Sequence, residues 1–145
     1  MKKALIVGNW KANPSTVLEA KKLLKQVKQK TARIRNVECW VSVPYIFVSD
    51  LRGDVSRGKL KLGVQSVSQF AGGSHTGEVT ASMAKSVGAS FTIVGHSERR
   101  ALGETDEEIN RKIMSALGAG LEVVLCVGEK ERDLEGVYLS FITKQ

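Results

Sequence analysis

The chain has 145 residues, is 42% hydrophobic and 26% charged, and carries a net charge of +7. That length and balance suit one globular domain over residues 1–145 and exclude fibrous and disordered classes. No apolar run approaches the ~20 residues needed to cross a bilayer. The positive charge raises the question of nucleic acid, but much of it lies in Lys21, Lys22, Lys25, Lys28, Lys30, Arg33 and Arg35, on and just after one predicted helix. Such a run is usually a solvated helix face. No aromatic residues interleave with the bases and no RNA-binding or zinc-finger pattern accompanies them, so neither nucleic acid nor membrane is an expected partner.

In chain order, Leu5-Ile6-Val7 is an apolar run closed by Gly8, a predicted first strand. Asn13 to Thr16 then reads as a helix start, with Pro14 at the first helical position and Thr16/Glu19 as a capping box. Val17, Ala20, Leu24 and Val27 give that helix one apolar face. Val37 to Val43 alternates like a strand and stops at Pro44. A short helical stretch is expected near Val48 to Leu51, and Lys61 to Val64 reads as a third strand. Ser66 to Glu78 is a long Gly- and Ser-rich loop. Ala81 to Val87 is a helix stopped by Gly88, and Phe91 to Val94 is a fourth strand ending on Gly95.

Thr105 with Glu108 forms a second capping box, opening a helix whose Ile109, Ile113, Ala116 and Leu117 share a face. Leu121 to Val127 is nearly all apolar, as in a strand buried on both sides. A last helix is expected from about Lys130. Five strands alternating with helices argue for a parallel sheet with right-handed crossovers, open or part of a barrel. Cys39 and Cys126 have no CxxC around them, and both read as buried strand residues in a reducing compartment. The N-terminal apolar stretch is too short for a signal-peptide core, which points to the cytoplasm.

Chemistry in parallel α/β folds gathers where strands end. Gly8-Asn9-Trp10-Lys11 follows the first strand, Gly95-His96-Ser97-Glu98-Arg99-Arg100 the fourth and Gly128-Glu129-Lys130 the fifth. An amide, an ammonium and an imidazole beside a carboxylate suit a small anionic substrate with a carbonyl. Lys11 would balance phosphate or enolate charge, Asn9 would donate to an oxygen, and Glu98 would pair with Lys11 or Arg99. His96, facing backbone N–H groups at a helix start, would be a donor to a developing enolate. Taken singly, a strand-end lysine or glutamate is more often a surface charge, and a lone histidine more often structural.

Together the blocks are more specific. Val7 to Asn13 and Val94 to Arg100 resemble the two signature segments of triosephosphate isomerases. The similarity continues through Thr76-Gly77-Glu78-Val79, Gly103 to Glu107 and Cys126-Val127-Gly128-Glu129, in the family's order, with one residue fewer between Arg100 and Gly103. The resemblance implies a TIM (β/α)8 barrel that interconverts dihydroxyacetone phosphate and glyceraldehyde 3-phosphate with no cofactor and no metal. By position it implies that Asn9 and Lys11 contact a phosphorylated triose, that His96 is the electrophile and that Glu98 is a supporting carboxylate. Gln65 would stand beside a subunit interface, and Thr76, Gly77 and Glu78 would lie in the loop that reaches into a neighbouring subunit.

A full barrel of this type takes ~250 residues. Its sixth strand with the catalytic glutamate, its lid and its late phosphate loops have no counterpart in these 145 residues. The expectation is therefore an incomplete barrel of about five strands with open first and fifth edges, the fifth lacking partners on its barrel-facing side. Such a chain is expected to be inactive alone and to associate, with itself as a homo-oligomer or with a complementing C-terminal half. The alternative is a non-catalytic, self-associating half-barrel module.

Overall fold

The computed structural model describes residues 4–55, 60–129 and 137–145. Strand β1 (Ala4–Asn9) leads to helix α1 (Val17–Thr31), β2 (Val37–Val43), α2 (Tyr45–Val55) and β3 (Leu60–Val64). Then come α3 (Ala81–Ser86), β4 (Phe91–Val94), the short α4 (Ser97–Ala101), α5 (Asp106–Gly118), β5 (Glu122–Leu125) and α6 (Val137–Lys144). The strands pair in the order β1-β2-β3-β4-β5, all parallel. Each successive strand thus joins the sheet beside its predecessor, and the result is the curled half of a TIM barrel.

Strand alternation divides the side chains between two cores. Cys39, Val41 and Val43 of β2 and Leu62 and Val64 of β3 face the helices. They pack there with Leu24 of α1, Phe47, Val48 and Leu51 of α2, and Ala116 of α5. Trp40, Phe91 and Ile93 form a second, smaller cluster, with Val7, Val124 and Cys126 against it.

Several boundaries differ from the sequence reading. Helix α1 starts at Val17, not at Pro14, because Thr16 is extended (φ −131°, ψ 154°) and its hydroxyl accepts the Glu19 amide. The Glu19 carboxylate takes the Ser15 N–H at 3.2 Å, one residue upstream of where a capping box would send it. Helix α2 has eleven residues, several more than expected, and begins directly after Pro44. In α5 the Thr105/Glu108 box is complete. Ile109 and Ala116 are buried, but Leu117 is 55% exposed. At about 100° per residue, Ala116 returns close to the direction of Ile109, whereas Leu117 overshoots by about 80°.

Strand β5 is shorter than the apolar run that announced it. Val124 and Cys126 do have partners on the concave side, in the smaller cluster. The exposed residues are instead Leu125 (43%) and Val127 (52%), whose parity sets them on the helix-facing side. The expectation of lost packing is thus corrected in its side. Cys39 is buried on β2, whereas Cys126 lies one residue past β5 and is only half-buried; both thiols are free. The expected start of the last helix near Lys130 lies outside the described residues.

Candidate active site

The site begins at the C-terminal end of β1. Lys11 takes a left-handed conformation (φ 55°), which turns the chain back so that its amide donates to Asn9 Oδ1 at 2.9 Å. Gln65, just past β3, donates from Nε2 to the same Asn9 oxygen at 3.2 Å and to the Lys11 carbonyl at 2.7 Å. Two donors on Oδ1 fix the orientation of the Asn9 amide. Its NH2 group then has no hydrogen-bond partner among the described residues and is available as a donor.

The second component comes from the end of β4. Gly95 has φ 71°, where an added Cβ would stand 3.0 Å from the Cys126 carbonyl and 3.1 Å from the Arg100 guanidinium. A glycine therefore lets three segments meet closely. His96 follows as the N-cap of α4, and its Nδ1 accepts the Glu98 amide at 3.2 Å. With Nδ1 accepting, a neutral ring carries its proton on Nε2, pointing a donor away from the helix.

Glu98 joins the two components. Its carboxylate lies 2.7 Å from Lys11 Nζ and 3.6 Å from His96 Nδ1. The hydrogen bond from Lys11 holds its carboxyl below the usual glutamate range. Of the two partners expected for Glu98, the structure selects Lys11; Arg99 points to Glu104 instead, at 3.6 Å.

Arg100 and Glu104 make contacts that sequence reasoning missed. Arg100 donates to the Gly95 carbonyl at 2.8 Å, pairs with Asp106 at 2.5 Å and reaches the Cys126 carbonyl at 3.4 Å. It ties the β4 loop to the start of α5 and the end of β5. Glu104 is almost fully buried and pairs with Lys112, itself buried in α5. The signal was available, since Lys112 falls one turn from Ile109 on an apolar face.

A cavity of about 810 Å³ adjoins this region and is lined by His96, Arg100, Cys126, Gly128, Phe141 and Gln145 among others. It reaches His96 but not Asn9 or Lys11. Thr76, Gly77 and Glu78 lie in the exposed loop before α3. Among the described residues, no hydrogen bond or ion pair connects that loop segment to Lys11, His96 or Glu98. Nor does any group of three or more His, Cys, Asp or Glu residues among them form a metal-binding cluster.

The family model for triosephosphate isomerase matches residues 4–145. The triosephosphate isomerase of Endomicrobium trichonymphae is 40% identical across all of this chain and 58% of its own length. That of Azoarcus sp. (strain BH72) is 42% identical over 90% of this chain and 52% of its own. The crystal structure of triosephosphate isomerase from Bartonella henselae superposes with a TM-score of 0.83 at 31% identity, covering 98% of this chain and 57% of that one. The chain spans little more than half the length of the relatives it matches, and it belongs to the triosephosphate isomerase family.

Proposed function

We propose that this chain supplies the electrophilic and anion-binding half of a triosephosphate isomerase site. The observation that carries this reading is the Lys11–Glu98 ion pair, which ties the end of β1 to the start of α4, where the Glu98 amide donates to His96 Nδ1. Lys11 would balance the charge of a phosphorylated triose, and the free NH2 of Asn9 would hold one of its oxygens. His96 would donate from Nε2 to the enolate that forms as a proton leaves the neighbouring carbon, and would shuttle protons between the two substrate oxygens. Gln65 would keep Asn9 and Lys11 in place.

The group that removes the carbon-bound proton is proposed to come from a complementing C-terminal half. General-base catalysis alone contributes ~10²–10⁴ in rate, so the 145 residues by themselves are expected to show negligible turnover. A coupled assay with glyceraldehyde 3-phosphate tests this, using the chain alone and then mixed with the C-terminal part of the Bartonella henselae enzyme. Turnover by the chain alone near that of a full-length enzyme would overturn the reading, and rescue in the mixture would support it. No helix among the described residues is long and apolar enough to cross a membrane. We place the activity in the cytoplasm, where a phosphorylated metabolite is retained.

A second reading is a self-associating module without catalysis. It is favoured by the strand edges: β1 and β5 each pair with one neighbour among the described residues. Beside those edges Leu5, Ile6, Leu125 and Val127 are each at least 43% exposed. Homo-oligomers formed through these edges, or through the Thr76–Glu78 loop, would appear in size-exclusion chromatography with light scattering. A compact monomer at micromolar concentration would rule them out.

A further inference from the structure

The concave side of the sheet holds an arrangement of aromatic and charged residues that the catalytic reading does not use. Glu38 and Trp40 of β2, Lys61 and Gly63 of β3, Phe91 of β4 and Glu122 of β5 share that side by alternation. The Trp40 and Phe91 rings stack tilted, with centroids 4.8 Å apart. Phe91 packs closely against β3 at Gly63, where an added Cβ would meet its ring carbons at 2.4 Å. Above the Trp40 ring, 4.5 Å from its centroid, sits the Lys61 ammonium.

Lys61 also anchors an ionic bridge. Its Nζ lies 2.6 Å from Glu122 and 3.2 Å from Glu38. The Trp40 indole N–H donates to Glu38 at 2.9 Å. Lys61 is on β3 and Glu122 on β5, level with Gly63, so the bond runs diagonally across two strand spacings, about 9–10 Å laterally along a flat sheet. Extended lysine and glutamate side chains together cover that distance, so the bond ties β3 to β5 directly. Trp40 is 8% exposed and Phe91 fully buried within this chain, although both stand on the side that further strands of a barrel would cover.

We propose that Trp40, Phe91 and the Glu38–Lys61–Glu122 bridge form a plug that ties β2, β3 and β5 together and covers the middle of the concave side without further strands. The apolar surface at the middle of that side is covered by this chain's own aromatic rings, with a cation seated on one of them, while Leu5 at the β1 edge stays 50% exposed. The hydrogen bond that Lys61 donates to Glu122 keeps the lysine charged to higher pH than an ordinary one. The bridge therefore persists across the neutral range.

The test uses the whole chain carrying Trp10→Phe, which leaves Trp40 as the only tryptophan of the two in the sequence. Acrylamide quenching reads the closure at Trp40, and binding of an anilinonaphthalene sulfonate dye reads exposed apolar surface. The parent is expected to show a protected tryptophan and a baseline of dye binding set by its exposed edges. Lys61→Met keeps the aliphatic stem and removes the charge, and Glu122→Gln keeps the shape and weakens the bond. Each is expected to raise both signals at least about threefold. If either variant loses its far-UV helical signal altogether, the result counts the same way, since the bridge would then be needed for the fold. Parent Trp40 quenched as readily as free tryptophan would overturn the proposal, as would variants that match the parent in both signals.

Discussion

Lys11 Nζ stands 2.7 Å from Glu98 Oε1, across 87 residues of sequence, and so joins the end of the first strand to the loop after the fourth. Both side chains are more than half exposed, and an exposed pair of this kind contributes little to stability. Its effect is to position an ammonium. Glu98→Gln is expected to leave the urea midpoint nearly unchanged while the Lys11 ammonium loses protection from proton exchange, read by side-chain ¹⁵N NMR. Because Lys11 depresses the Glu98 carboxyl, the same loss should occur in the parent chain as pH falls through and below the ordinary glutamate range. The pair should stay intact above that range.

Gln65 works one layer further back. Gln65→Leu removes both donors at once and leaves Asn9 Oδ1 and the Lys11 carbonyl each one partner short. The expected destabilisation is about 1–2 kcal/mol in urea unfolding. Amide exchange at Lys11 should accelerate as its left-handed turn loosens. Unchanged exchange there would show that the turn holds itself.

The buried pair of Lys112 and Glu104 should behave differently from the exposed one. Glu104 already has one carboxylate oxygen with no partner, and Lys112→Met would remove the main charge opposing it. Breaking a buried pair from one side costs about 3–5 kcal/mol. Urea unfolding of the variant should therefore show a loss several times that of any surface lysine on α1.

Gly63→Ala is expected to destabilise by about 1–3 kcal/mol through overpacking against Phe91. Combining it with Phe91→Leu should cost less than the sum of the two single changes. Additivity would mean that the ring and the glycine do not compete for the same space.

Tyr45 gives a pH prediction. Its hydroxyl donates to the Ser66 carbonyl at 2.5 Å, and burial pushes it from 10.0 up to about 12. The folded chain then keeps the proton after the unfolded chain has lost it. The contribution is fully present below pH 10 and is lost between pH 10 and about 12, worth at most about 3 kcal/mol. Tyr45→Phe should flatten this alkaline decline in a pH series of urea midpoints.

Much of the fold was legible in the sequence because its signals are local. Alternation marked β2, Thr105 with Glu108 marked the start of α5, and the strand-end blocks brought the family into view with Asn9, Lys11, His96 and Glu98. Local signals misled where a competing hydrogen bond or a small angular error decided the outcome. Thr16, by capping Glu19, moved the start of α1 past Pro14, and one residue's rotation set Leu117 in solvent and Ala116 in the core.

The sequence by itself thus determined the order of strands and helices and the identity of the polar residues at the strand ends. Only the tertiary structure decided which of them meet. Glu98 chose Lys11 over Arg99, Gln65 became a clamp on Asn9, and Lys61 reached over β4 to Glu122. The physical reason is common to all three. Each contact depends on which strands pair and on side-chain reach between segments far apart in the chain, and neither is written in any single segment.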